Sequence, residues 1–121
     1  MDEKGYHRLL IWQKAKLLVK VVYEITEKFP KAEEYALVSQ IRRAAISIVL
    51  NIVEGHRRRE STKEFLRFLR MADGSLAEVE ACLELSLDLN FINKEDFDNA
   101  ENIRRELASM LTSFIKQVKS R

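Results

Sequence analysis

Residues 39–59, SQIRRAAISIVLNIVEGHRRR, decide the fold, because they read as one helix with two apolar faces. At 100° per residue, Ile41, Ala44, Ala45, Ile48, Ile52 and Gly55 fall on one side, with Leu37 just ahead of them and Asn51 at the margin. Ile46, Leu50 and Val53 fall nearly opposite. A surface helix buries one stripe, so a helix apolar on both sides calls for cover on both, one from its own domain and one from outside. The expected outside cover is another copy of the chain, with Arg42, Arg43, Ile46, Val49, Leu50 and Val53 as the contact. The helix then ends in the run Arg57, Arg58, Arg59.

Working outward, three further helical patterns flank this one. Upstream, Ile11, Ala15, Leu18, Val19, Val22, Thr26 and Phe29 form a stripe that Pro30 closes, since the residue before a proline avoids the helical region. Downstream, Ser61 with Glu64 three residues on fits a capping box, and Phe65, Leu69, Ala72, Leu76, Val79, Leu83 and Leu87 run down one face. Gly74 and Ala81 lie on the outer side of that helix. Asn93 is the expected N-cap of the last helix, with Asp96 in its first turn and Ala100, Ile103, Leu107, Met110, Leu111, Phe114 and Val118 as its buried stripe. The expected helices cover about 10–29, 35–58, 62–89 and 94–119. Short connections between long helices predict an all-α, antiparallel up-down-up-down four-helix bundle, one domain over 1–121.

Composition agrees. Only three glycines and one proline occur in 121 residues, with 46% apolar and 33% charged, which favours long helices over turn-rich β structure. The single cysteine, Cys82, has no internal partner, so a reducing, cytoplasmic setting is the expectation. The start, MDEKGYHRLL, has the pattern of neither a secretory signal nor a transit peptide. The longest apolar run, 44–53, is broken by Ser47 and Asn51 and falls short of the roughly 20 residues a bilayer needs, so no membrane span is expected.

The net charge is only +2, but the topology sorts it. The start of helix one, the end of helix two, the start of helix three and the end of helix four share a pole. That pole collects Arg8, Lys14, Lys16, Arg57, Arg58, Arg59, Lys63, Arg67, Arg70, Lys116, Lys119 and Arg121. The opposite pole collects Glu24, Glu27, Glu33, Glu34, Glu84, Asp88, Glu95, Asp96, Asp98 and Glu101. Helices of about 25 residues span nearly 40 Å, several times a Debye length of about 8 Å, so the poles do not cancel. Arg57, Arg58, Arg59, Lys63, Arg67 and Arg70 are the candidate phosphate contacts, the last three recurring at i, i+4 and i+7. No aromatic residue interleaves with them to imply base stacking.

Catalysis finds little support. There is no P-loop, dinucleotide fingerprint, H-E-x-x-H or cysteine pair, so no enzyme activity and no cofactor are expected. His7 and His56 share the basic pole but are too few for a metal site. Glu54, Glu78 and Glu80 are expected to pair across helices with Arg67, Arg70 or Arg43 rather than to act as acid and base. Asn51 and Ser47 are expected to fix helix register, Trp12 to pack, and Cys82 to be a small buried or half-buried residue.

The segments WQKA at 12–15, SQIRRAA at 39–45, SI at 47–48, NI at 51–52, EG at 54–55, FLRFL at 65–69 and GSLAE at 74–78 carry a resemblance. The chain resembles the four-helix-bundle family of 23S rRNA intervening-sequence proteins. The resemblance implies a small cytoplasmic bundle, often encoded within an rRNA insertion. It also implies kinship with the accessory proteins of diversity-generating retroelements, which assemble as basic pentameric barrels and bind a reverse transcriptase and RNA. The family pattern S-I-P-S-N-I-A-E-G is altered here, Val49, Leu50 and Val53 standing for proline, serine and alanine, which removes a kink and enlarges the outer apolar face. Where the family often has a glycine after the E-G pair, Arg57 stands within His56 to Arg59. The leading expectation is a non-enzymatic RNA-binding homo-oligomer, a pentamer by resemblance, accessory to a reverse transcriptase or encoded in an rRNA insertion. The alternative is a protein-interaction scaffold that binds no nucleic acid.

Overall fold

The computed structural model describes residues 5–121. A short 3-10 turn, Gly5–Arg8, leads into four helices: α1 (Leu10–Thr26), α2 (Ser39–Arg57), α3 (Thr62–Asp88) and α4 (Lys94–Lys119). No strand is present among the described residues, and the architecture is all-α.

Side-chain contacts fix the direction of each helix against its neighbours. Arg42 of α2 meets Thr26 at the end of α1, while His56 at the end of α2 meets Tyr6 just before α1. Ser47 meets Ser75, and Gly55 lies against Phe65 and Phe68, so α3 runs back along α2. Phe65–Phe114 and Glu80–Arg104 do the same for α4 on α3. Lys14–Glu106 and Lys28–Asp96 close α4 onto α1. Each helix is therefore antiparallel to the next, and α1 and α4 are neighbours too.

The core is one cluster fed by all four helices. Leu18, Ile41, Ile48, Ile52, Leu69, Leu76, Leu83, Leu107 and Leu111 are its largest fully buried side chains. Each is worth about 1.5–3 kcal/mol of apolar transfer. Val21 and Ile25 join the core, whereas Val19, Leu87, Ile103, Met110 and Phe114, expected inside, are half-buried at its margin. α2 and α3 pack tightly at Gly55: an added Cβ lies 3.1 Å from Phe68 Cβ and 3.3 Å from Phe65 Cδ1.

Two boundaries differ from the sequence expectation, and one cap differs in detail. α1 stops at Thr26 instead of about 29, because Lys28 and Phe29 donate to Ile25 and Thr26 in tight i→i+3 turns ahead of Pro30. Phe29 stays buried beyond the helix, its ring 5.9 Å from Phe91. α2 is preceded by a 3-10 turn, Lys31–Glu33, and a wide π turn, Glu34–Val38, after which Val38 is buried and Leu37 only half-buried. α3 is capped by Ser61, whose Oγ accepts from Glu64 N at 3.2 Å, but the Glu64 carboxylate turns to Arg67 rather than back to the cap. At the other end of α3, Asn90 takes φ 62° and forms a Schellman motif: Phe91 N donates to Ser86 O and Asn90 N to Leu87 O.

The helical run Lys31–Arg57 is long and apolar enough, by length and composition, to cross a membrane. Its apolar content comes from having two faces, of which one is packed in the bundle core, as in core helices of bundles generally.

Candidate nucleic-acid pole and oligomer face

The four chain segments expected at the basic pole do meet. The Arg121 guanidinium donates to the Arg59 carbonyl and, at 3.3 Å, to Thr62 Oγ1, and lies 5.5 Å from the Phe65 ring centre. Arg57, Lys63 and Arg70 are exposed, and their side chains make no hydrogen bond or ion pair among the described residues. Arg58 pairs with Glu54 at 2.7 Å, and Arg67 grips Glu64 through two bonds of 3.1 Å. Arg59 donates to the His56 carbonyl at 2.9 Å. All six candidates are exposed, and Lys63, Arg67 and Arg70 share one outward stripe of α3. Hydrogen bonds from Arg67 hold the Glu64 carboxyl below the usual carboxylate range. Solvent screens exposed pairs of this kind, which contribute little to stability, so a phosphate can replace Glu54 or Glu64 at little cost.

The structure also brings aromatic rings to this pole, which the sequence pattern did not disclose. The Gly5–Arg8 turn packs Tyr6 edge-on against Trp12 at 5.4 Å, His7 at 4.6 Å and His56 at 6.4 Å, and His7 lies over Trp12 at 4.7 Å and 33°. So His7 and His56 meet through Tyr6 and act in packing. Burial, with Arg59 nearby, lowers the His56 pKa below its ordinary value. Phe68 is half-buried, with the Arg67 and Arg58 guanidiniums 4.4 and 5.4 Å from its ring centre.

The expected cross-helix pairing of Glu54, Glu78 and Glu80 with Arg67, Arg70 or Arg43 is not found. Glu54 bonds Arg58 one turn along its own helix, and Glu80 bonds Arg104 of α4. At the opposite pole Glu101, counted among surface acids, is buried: Arg104 donates to it at 2.7 and 2.8 Å, and Arg105 lies 3.3 Å away.

On α2, the residues expected at an oligomer contact divide. Arg42, Arg43, Ile46 and Leu50 line one groove of about 690 Å³, with Tyr23 and Tyr35 on its walls. Leu50 is 61% exposed and Tyr35 91% exposed. Arg42 is anchored, donating to Thr26 Oγ1 at 2.9 Å, pairing with Glu27 at 3.4 Å and lying over Tyr23. Val49 and Val53 are outside the groove, and Val49 is half-buried against the core margin. Ser47 makes a cross-helix bond, accepting from Ser75 Oγ of α3 at 2.9 Å, whereas Asn51 Nδ2 donates to Ser47 O and Oγ within α2 itself. Cys82 is buried, its thiol pKa pushed up by burial and by Glu78. Among the described residues no group of three His, Cys, Asp or Glu is placed to hold a metal ion.

Fold and site together define an all-α helical bundle with a basic pole and an apolar groove on its second helix. The family model described as 23S rRNA-intervening sequence protein matches residues 7–113. The chain belongs to that family. It is also similar to a crystal structure from Bacteroides thetaiotaomicron, a protein of unknown function from the S23 ribosomal protein family, at 27% identity and a TM-score of 0.79, over 88% of this chain and 96% of that one. No curated protein matches the sequence.

Proposed function

We propose that this protein is a non-enzymatic, self-associating bundle that binds RNA by its phosphate backbone through the basic pole. The observation that carries the reading is the cluster of six exposed cations at one end, three unpaired and three held by weak or exchangeable contacts. Guanidinium forks suit phosphate oxygens, and pairing with them displaces nothing that stabilises the bundle strongly.

Self-association rests on exposed apolar surface. The α2 groove is one patch, and Leu10 and Leu17 on α1, with Met110 of α4, form a different one. Two unlike patches on one chain suit head-to-tail contact, which closes into a ring when the rotation permits. A ring of five copies in the cytoplasm, serving a reverse transcriptase or encoded in an rRNA insertion, is the form that the family resemblance favours. The second reading, a protein scaffold without nucleic acid, is favoured by a groove of about 430 Å³ between α1 and α4, lined by Leu9, Leu10, Met110 and Phe114 among others. A gel shift with RNA over a salt series separates the two. The RNA reading expects a shift at low salt that fades steeply as salt rises, and no shift at any salt leaves the scaffold.

A further inference from the structure

We propose that the aromatic cluster beside the arginine run is a base-stacking platform, so that the polynucleotide held at the basic pole is single-stranded. This rests on the nucleic-acid reading above and adds which nucleic acid it is.

The platform is built, not incidental. Gly5 sits so tightly on His56 that an added Cβ lies 2.9 Å from the imidazole Cε1, and Gln13 Nε2 donates to the His7 carbonyl at 2.9 Å. These contacts hold the Gly5–Arg8 turn across the ends of α1 and α2 and set Tyr6, His7, Trp12 and His56 ring against ring. Trp12 is half-buried, and the ammonium of Lys16 lies 4.5 Å from its ring centre. Lys16 is itself exposed, on a flexible stem. An exposed cation–π contact is weak, so a base can take the ammonium's place on the indole while the charge moves to the adjoining phosphate. His56 links the rings to the arginines, its Nδ1 3.4 Å from Arg59 Nη1. Across the pole Phe68 repeats the arrangement, with Arg58 and Arg67 over its ring. Rings interleaved with cations are how sequence-tolerant single-strand binders hold bases and phosphates together. A duplex encloses the faces of its bases in its own stack, so it leaves the rings nothing to stack on and offers phosphates, sugars and groove edges instead.

Trp12 is the chain's one tryptophan, so its emission reports directly on stacking. The full chain is titrated with oligouridylate, oligothymidylate, duplex RNA of matched length and inorganic polyphosphate. Both single strands are expected to quench Trp12, and duplex and polyphosphate to bind at low salt without quenching. Trp12→Leu is expected to weaken single-strand binding by roughly tenfold and leave duplex binding unchanged, while Trp12→Phe keeps most of the affinity. If Trp12→Leu fails to fold, the wild-type quenching decides alone. Single strands that bind without changing Trp12 emission overturn the platform and leave the phosphate reading standing. Failure of all four polyanions to bind overturns both.

Discussion

Glu101 and Arg104 are the charged side chains, among the described residues, that the bundle takes out of water. Two short bonds join them, Glu80 adds a third contact to Arg104, and no buried polar side-chain atom among the described residues lacks a partner. Burying two ions costs several kcal/mol each, so such a pair stabilises little against an apolar pair, yet removing one partner strands the other. Glu101→Leu should therefore cost about 3 kcal/mol in urea unfolding, and Glu101→Leu with Arg104→Met should recover most of it. Arg104 holds the Glu101 pKa below its unfolded value. A depressed carboxyl pKa gives stability that is fully present above the unfolded value, about 4.3, and is lost as pH falls through the folded one. The gap between wild type and Glu101→Gln should accordingly narrow below about pH 4, measured by the same unfolding curves. At Asn90, with φ 62°, Asn90→Gly should be neutral or slightly stabilising, while a β-branched residue should cost about 1–2 kcal/mol by thermal unfolding. The charged pair was legible only in outline. Arg104 stands four residues after Ala100 and three before Leu107, inside the buried stripe, but composition places an arginine outside and periodicity was read through Ile103 instead.

At the scale of the element, α2 carries the argument for self-association. Its inner face, Ile41, Ile48 and Ile52, is fully buried, while the exposed Leu50 lines the groove with Ile46, Tyr23 and Tyr35. The two faces should separate in experiment. Ile48→Ala should cost about 2–4 kcal/mol of stability without altering assembly, because it opens a cavity in the core. Leu50→Asp should leave the monomer's unfolding midpoint nearly unchanged and shift light-scattering mass toward monomer, since it places a carboxylate on an apolar contact. A wild-type monomer at micromolar concentration sinks the self-association reading. Helical periodicity disclosed both faces of α2, because each is a run of apolar residues at 3.6 spacing. It did not disclose that Val49 leans toward the core margin or that a π turn precedes the helix, since both depend on how α1 and α3 pack around it. Nor did linear spacing bring Tyr6 to His56, which are 50 positions apart and meet only through the turn of the bundle.

At the scale of the whole molecule, the proposed RNA binding rests on charge polarity. If the chain assembles into the proposed ring, cations clustered at one end of each copy would present their fields to the same ligand, and affinity should exceed what one chain offers. Arg57, Arg58 and Arg59 sit at the end of α2, exposed and outside the core, so the combined Arg57→Ala, Arg58→Ala, Arg59→Ala variant should stay folded and keep its assembly state. Its structural losses are the Arg58–Glu54 pair, the Arg58 contact with the Phe68 ring and the Arg59 contacts to the His56 carbonyl and ring, all made by exposed arginines and worth little. The variant's effect should instead fall on the salt dependence. Each phosphate neutralised contributes about 0.7–0.9 to the slope of log affinity against log salt, so losing three arginines should flatten the slope by roughly two units per subunit engaged. RNA affinity measured by anisotropy across a salt series, for wild type and variant at equal assembly state, checks this. A variant with the wild-type slope means the three arginines are only a solvated surface, and the phosphate contacts must then be sought at Lys63, Arg67 and Arg70. A variant whose slope is flatter but whose single-strand binding persists at high salt locates the remaining affinity in the rings, since stacking, unlike phosphate pairing, releases no counterions.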